Sequence, residues 1–331
     1  MKHKLLKFLK VLAFFALGAF LFWLVYKDQD IHRIESILKN DVNYFWIWVS
    51  LVLGLLSHIS RTIRWRIMIE PLGQRPRLLN TFLAVMVGYL MNLVVPRMGE
   101  ISRCGVLSRY EKISFTKLVG TVVTERIVDV LMMLLLTAIV VLTQFGKIVQ
   151  FLKNNPGIKS KLEQLSLSPA TLLILVTCFV LLVLFRHKIK RSGLFRKLNN
   201  VLHKFGEGLR TIRTMKHKTA FIFHTIFIWL MYYLMLYAVF FCFDFTSNLG
   251  AMAALTTFVL GSYGMVAPVQ GGIGAWHFMV IQALVVYGID KSDGVVFAFL
   301  AHSSMTAMLI VMGLVALMIL PFVNRRNAES L

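Results

Sequence analysis

Long apolar runs separated by short basic segments dominate the chain, and the lengths of those runs predict its elements. A bilayer core of about 30 Å takes about 20 helical residues. Runs of that size fall at 8–26, 42–60, 118–142, 169–185, 219–243 and 294–320. Two further apolar regions, 78–110 and 249–289, are interrupted. The first breaks at Val95-Pro96-Arg97-Met98-Gly99-Glu100 and returns through the polar Arg103 and Arg109. The second breaks at Pro268-Val269-Gln270-Gly271-Gly272-Ile273-Gly274. The apolar stretch 276–289 that follows it has 14 residues and reaches only about 21 Å at about 1.5 Å per residue. That is short for a full crossing, so both regions read as re-entrant helical hairpins.

The basic residues give sidedness, because loops rich in Lys and Arg stay in the cytoplasm. Lys2, Lys4, Lys7 and Lys10 precede the first span, which ends at Tyr26-Lys27-Asp28 without a cleavage pattern, so it reads as a retained anchor with a cytoplasmic N-terminus. Segment 27–41 has three bases and four acids and suits the outside, whereas 61–77 carries Arg61, Arg64, Arg66, Arg75 and Arg77 against Glu70. Segment 186–218 holds eleven Lys and Arg with one acid, Glu207, and is the strongest cytoplasmic marker. An even number of crossings must therefore separate 77 from 186. Spans 118–142 and 169–185 supply two, so region 78–110 enters and leaves on one side. Loop 143–168 falls outside despite its four lysines.

Composition then excludes soluble classes. The chain has 331 residues, 58% apolar, with 26 Phe and a mean hydropathy of +0.73. Charged residues make up only 15%, yet the net charge is +21. A surplus of that size usually points to nucleic acid, but here the bases lie in short loops between apolar runs, so membrane surfaces and anionic lipids are the partners it implies. Cys104, Cys178 and Cys242 are scattered, and no disulfide or metal-ligand spacing is present.

The two halves share one order: span, span, hairpin, span over 8–142, and the same again over 169–320. Each half crosses an odd number of times, so the second is inverted, with Pro96 and Pro268 at corresponding breaks. The predicted fold is an all-α polytopic membrane protein with about six full transmembrane helices plus two re-entrant helical hairpins in an inverted repeat. It is one membrane domain over 1–331, with an outer loop at 143–168 and a cytoplasmic tail at 321–331. Inverted repeats whose broken helices meet near the midplane recur in alternating-access transporters.

Irregular backbone at membrane depth is tolerated only where protein buries it or it lines a wet cavity. The breaks are therefore the first places to look for chemistry. At the first, Asn92, Arg97, Glu100 and Arg103 fall close together; guanidinium groups grip phosphate bidentately, and Glu100 can hold an Arg or meet an amine. At the second, Gly271, Gly272 and Gly274 precede a helix start at Ala275, whose N–H groups attract anions, with His277 on its first turn. Glu125, Arg126 and Asp129 share a helix flank inside a span. They read either as an ion-paired brace for Arg97 or Arg103 or as a polar pathway for a headgroup or proton. His302, beside Ser303 and Ser304, can face the second hairpin. His58, Arg61, Arg64, Trp65 and Arg66 read as interfacial anchors, as does His224.

These residues resemble the flippase-like transmembrane domain of lysylphosphatidylglycerol synthases, also found alone as UPF0104-type membrane proteins. The carriers are Arg61-Thr62-Ile63-Arg64-Trp65-Arg66, the stretch Asn92 to Arg103, Glu125-Arg126-Ile127-Val128-Asp129, and Pro268 with Gly271-Gly272-Ile273-Gly274. The resemblance covers nearly the whole chain. It implies movement of aminoacylated or other anionic lipids between leaflets in a bacterial inner membrane, with lysine transfer carried out by a separate soluble domain. That domain is expected to be missing, since eleven residues follow the last span. Two departures are His277, where the family often has an acid, and His302, near a frequent Arg. No P-loop is present, so no nucleotide cofactor is expected and transport would be passive or ion-coupled. A polyprenyl-phosphate is another lipid with suitable chemistry. The alternatives are a lipid-modifying enzyme, such as a lipid-linked glycosyltransferase with Asp28 and Asp30 as a metal-diphosphate pair, and an accessory subunit of one.

Overall fold

A computed structural model describes residues 16–27, 29–154 and 215–325. The chain divides into two compact units, residues 1–140 with 215–331, and residues 141–214. Of the second unit only 141–154 are described, and the expected span at 169–185 and the basic segment up to 214 lie outside the described residues. Every regular element among the described residues is helical. Apart from single turns, in order these are α1 (Ala16–Tyr26), α2 (Ile31–Asn40), α3 (Phe45–Ile69), α4 (Leu78–Val94), α5 (Met98–Glu111), α6 (Phe115–Asn154), α7 (Lys218–Phe240), α8 (Ala251–Val266), α9 (Ala275–Val286) and α10 (Lys291–Val323). Four of them, α3, α6, α7 and α10, are long and apolar enough to cross a membrane. Helix α6 continues through residues 143–154, where a loop was expected, because the apolar run Leu134–Leu142 carries on into helix-forming Gln, Lys and Phe with no Pro or Gly pair to stop it.

Both interrupted regions are helix–break–helix units, and the breaks have the same physical cause. Proline disfavours helical geometry in the residue before it. Val95, before Pro96, is extended (φ −135°, ψ 126°) and ends α4. Ala267, before Pro268, likewise leaves helical geometry (φ −55°, ψ 142°) and ends α8. A left-handed residue then reverses the chain: Arg97 at φ 61° in the first unit, Gly271, Gly272 and Gly274 in the second. The α4–α5 pair is clasped where Gly88 faces Gly99; a Cβ on Gly99 would collide with the Gly88 carbonyl and with Asn92. The Asn92 Oδ1 atom accepts from the Gly99 N–H at 2.7 Å. In the α8–α9 pair, Gly264 lies against the Trp276 backbone.

Hydrogen bonds fix how the two hairpins run. The open end of the first is tied to the end of α10 by reciprocal bonds between Asn80 and Asn324 (2.9 and 3.0 Å), with Glu111 also bonded to Asn80 (2.5 Å). The tip of the second meets the middle of α10, where His302 Nε2 donates to the Gly271 carbonyl at 2.9 Å. The two tips then touch each other: Arg97 Nη2 donates to the Val266 carbonyl at 3.2 Å, and Gly271 packs against Leu93. A carbonyl left unpaired at a helix end needs a donor, and for α8 the other hairpin supplies it. The hairpins thus approach from opposite ends of the bundle and meet inside it. One buried core lies around α7, α9 and α10, and another around α4, α5 and the ends of α3 and α10.

Candidate functional site

Helices α3, α5 and α6 bring four arginines and three acids into one cluster. Glu125, fully buried, accepts from Arg61 Nε (2.8 Å), Arg64 Nη2 (3.0 Å) and Arg103 Nη2 (2.6 Å). One helical turn on, Asp129 accepts from Arg61 (3.0 Å) and Arg64 (2.8 Å). Arg126, on the outer flank of α6, pairs with Glu100 at 2.9 Å and with Asp129 at 3.6 Å. Spacing explains the convergence. Arg61 and Arg64 are i,i+3 on α3, Glu125 and Asp129 are i,i+4 on α6, and such pairs share a helix face. Arg103 also lies over the Trp65 ring at 4.6 Å, and Trp65 Nε1 donates to Thr121 at 2.9 Å.

Isolated charges at mid-helix cost about 2.5–3.5 kcal/mol each on insertion scales, and mutual pairing offsets that cost here. The offset is incomplete in charge: four guanidinium groups face three carboxylates. The cluster therefore carries one surplus positive charge among the described residues. Two tyrosines extend it, since Arg61 Nη1 donates to Tyr89 (2.9 Å) and Tyr232 (3.3 Å), whose hydroxyls bond each other at 2.9 Å. His58, 4% exposed, lies 4.5 Å from the Tyr89 ring centroid with neither ring nitrogen hydrogen-bonded.

A cavity of about 20 Å³ opens beside these groups, lined by Arg61, Val85, Gly88, Tyr89, Asn92, Gly99, Glu100, Arg103 and Arg126. One water takes roughly 10–15 Å³ on this scale, so the cavity admits water but not a lipid headgroup. The Arg126–Glu100 pair stands at its edge, with Arg126 45% exposed and the second Glu100 oxygen unpartnered.

The second hairpin builds a separate cluster. The His277 and His302 rings are 4.5 Å apart. His277 Nδ1 accepts from the Gly274 N–H at 3.2 Å, so the first donor of α9 is taken by its own helix, and Gly274 is packed against Leu21 and Phe22 of α1. His302 donates through Nε2 to Gly271 and lies 3.3 Å from the Thr306 hydroxyl through Nδ1. Aromatic rings of Phe22, Tyr26 and Trp276 complete the enclosure.

The profile of a protein family described as "Lysylphosphatidylglycerol synthase TM region" matches residues 9–313. The chain belongs to that family. Within it, a UPF0104 membrane protein of Methanocaldococcus jannaschii is 31% identical over 112 residues, 33% of each chain, so the match spans about a third of that relative's length. No solved structure matches. The lysylphosphatidylglycerol synthase transmembrane region is a multi-pass membrane module associated with lipid handling, and of the synthase only this region is found in the chain.

In this member of the family, Asn92, Glu100, Arg103, Glu125, Arg126 and Asp129 converge on one site, while Gly271, Gly272, Gly274, His277 and His302 form the other. Arg97 joins neither set of ion pairs and bridges the two tips instead. One reading needs correcting. Arg61 and Arg64 are 7% and 0% exposed and bind the buried acids, so they are not interfacial anchors. Helix α3 continues through apolar Ile67, Met68 and Ile69 beyond them, which leaves both arginines inside the helix. Of the alternative acidic pair, Asp28 lies outside the described residues and Asp30 caps α2, accepting from the N–H groups of His32 and Arg33.

The left-handed backbone of Arg97 gives a prediction. Such geometry costs a non-glycine residue on the order of 1–3 kcal/mol, and its one exposed hydrogen bond returns about 0.5–1.5 kcal/mol. Arg97→Gly removes both and should leave the unfolding midpoint in detergent close to native. Arg97→Val loses the bond and adds strain, because a β-branched residue tolerates positive φ worse, and should lower stability by about 2 kcal/mol.

Proposed function

We propose that the protein is a lipid translocase that moves an anionic or aminoacylated phospholipid, or a related lipid phosphate, between leaflets. The observation that carries this is the surplus guanidinium beside a water-sized cavity between the first broken hairpin and helices α3 and α6. Arg126, half in solvent, is the group that meets the phosphate. Glu100 holds it in the absence of lipid and can pair with a headgroup amine when lipid displaces it. Arg61, Arg64, Glu125 and Asp129 form the fixed wall, since each is bound on several sides. The two hairpins act as the moving parts of an inverted repeat, 8–142 and 169–320, and Arg97 couples their tips. In this reading the membrane is a bacterial inner membrane, the end of the bundle bearing the 70–77 loop is cytoplasmic, and the basic loops put both termini on that side. His277 belongs to the moving tip and His302, on α10, holds it, and together they set how readily it opens. No group-transfer chemistry is assigned to the site.

Thermal unfolding in detergent tests the binding step. Ligands that bind only the folded state stabilise it by about 2.7 kcal/mol at a hundredfold excess over the dissociation constant. Phosphatidylglycerol should raise the midpoint, phosphatidylcholine should not, and salt should weaken the effect. Equal shifts from both lipids in native and Arg126→Gln protein would remove the anion site from the account.

A further inference from the structure

Helix α5 has a second working face, turned away from the buried arginines. Gly99, Arg103 and Leu107 form its buried side. Ser102, Gly105, Val106 and Arg109, at i, i+3, i+4 and i+7, line a groove of about 360 Å³ whose other wall is Leu317 and Leu320 of α10. That volume lies within the range of roughly 300–1,000 Å³ typical of small-molecule sites.

Three observations bear on what fills it. First, a glycine inside a helix is about 1 kcal/mol less favourable than alanine, and Gly105 has no packing reason to be there, because a Cβ on it would meet nothing within 4 Å. Its effect is to deepen the groove. Second, the walls are apolar along Val106, Leu317 and Leu320, which suits an acyl chain. Third, the polar end carries Arg109, exposed, stacked over the Tyr110 ring at 5.9 Å, and without a carboxylate partner among the described residues. The nearby acid Glu111 is bonded to Asn80 instead. A basic pocket between transmembrane helices at the cytoplasmic side is the setting in which anionic headgroups are held.

We propose that the groove between α5 and α10 is a holding site for one anionic phospholipid of the adjoining leaflet, its phosphate at Arg109 and an acyl chain along Leu317 and Leu320. The proposal rests on the translocase reading, in which α5 presents the held lipid on one face and the buried cluster on the other. Ser102, next to Arg103, marks the short path between them.

Native mass spectrometry of the full chain in detergent tests it, with phosphatidylglycerol, phosphatidylcholine or inorganic phosphate added. The measurement is made in native and Arg126→Gln protein, so that lipid at the buried cluster is counted separately. Phosphatidylglycerol should remain bound in both. Gly105→Leu, which fills the groove from open space, should lower the retained fraction at least tenfold in the Arg126→Gln background. Arg109→Gln changes only an exposed side chain, so it carries the test if Gly105→Leu fails to fold; it should abolish the preference for phosphatidylglycerol over phosphatidylcholine. Unchanged retention and preference in these variants overturns the proposal, as does displacement of the lipid by inorganic phosphate. Failure of the Arg126→Gln protein with an intact groove to retain phosphatidylglycerol, while native protein exchanges lipid between leaflets, counts against the holding site alone. Retention without any exchange by native protein counts against the translocase and leaves the groove standing.

Discussion

Replacing Glu125 by Gln should destabilise the fold by about 3–5 kcal/mol, the usual cost of removing one partner from a buried ionic set. Glu125 is fully buried and is the shared acceptor of Arg61, Arg64 and Arg103. Its neutral amide would leave Arg103 without an acid and put both α3 arginines on Asp129 alone. An amide also presents one acceptor where the carboxylate presents two, so at least one guanidinium must turn away or draw in water. Denaturant unfolding of purified protein in detergent reads the loss. A Glu125→Gln variant as stable as native would mean that the arginines are neutralised by something other than these contacts.

Arg126→Gln should have the opposite profile, with stability nearly unchanged and transport lost. The Arg126 side chain is 45% exposed, Glu100 is 27% exposed, and Asp129 keeps its bonds to Arg61 and Arg64. Exposed pairs contribute about 0–1 kcal/mol. In the proposed mechanism this guanidinium is the first to meet the phosphate, and its removal also cancels the surplus positive charge. Leaflet exchange of anionic lipid should fall at least tenfold. The companion variant Glu100→Gln frees Arg126 from its competitor and should strengthen binding of phosphatidylglycerol while weakening discrimination in favour of lipids with a headgroup amine. The same direction of change in both variants would contradict the assigned roles.

Much of this architecture was legible from the apolar pattern because membrane helices must be long, apolar and internally hydrogen-bonded. The two Pro-centred breaks fell where the sequence put them, since the conformational restriction before proline is local. The Glu125–Asp129 flank was equally readable from its spacing. The partners of that flank were not. Arg61 and Arg64 lie at sequence positions that hydropathy assigns to a loop, and only the packing of α3 against α6 and α7 shows that their charges face inward. Tyr89 and Tyr232 carry no polar signature in an apolar run; their roles come from a tertiary contact between α4 and α7. Arg97 was placed beside Arg103 by sequence proximity, but six residues of helix separate them by about 9 Å along the axis. The turn that starts α5 points Arg97 toward Val266 instead. The capping of Gly274 by His277 was likewise invisible, because it depends on the left-handed turn that three glycines permit.

The most direct test of the central claim is leaflet exchange by the native protein in sealed proteoliposomes, followed with fluorescent phosphatidylglycerol, aminoacylated phosphatidylglycerol and phosphatidylcholine. The account predicts exchange well above protein-free vesicles for the first two lipids and little for the third. Exchange no faster than in protein-free vesicles for every lipid, or equal rates for all three, would contradict it.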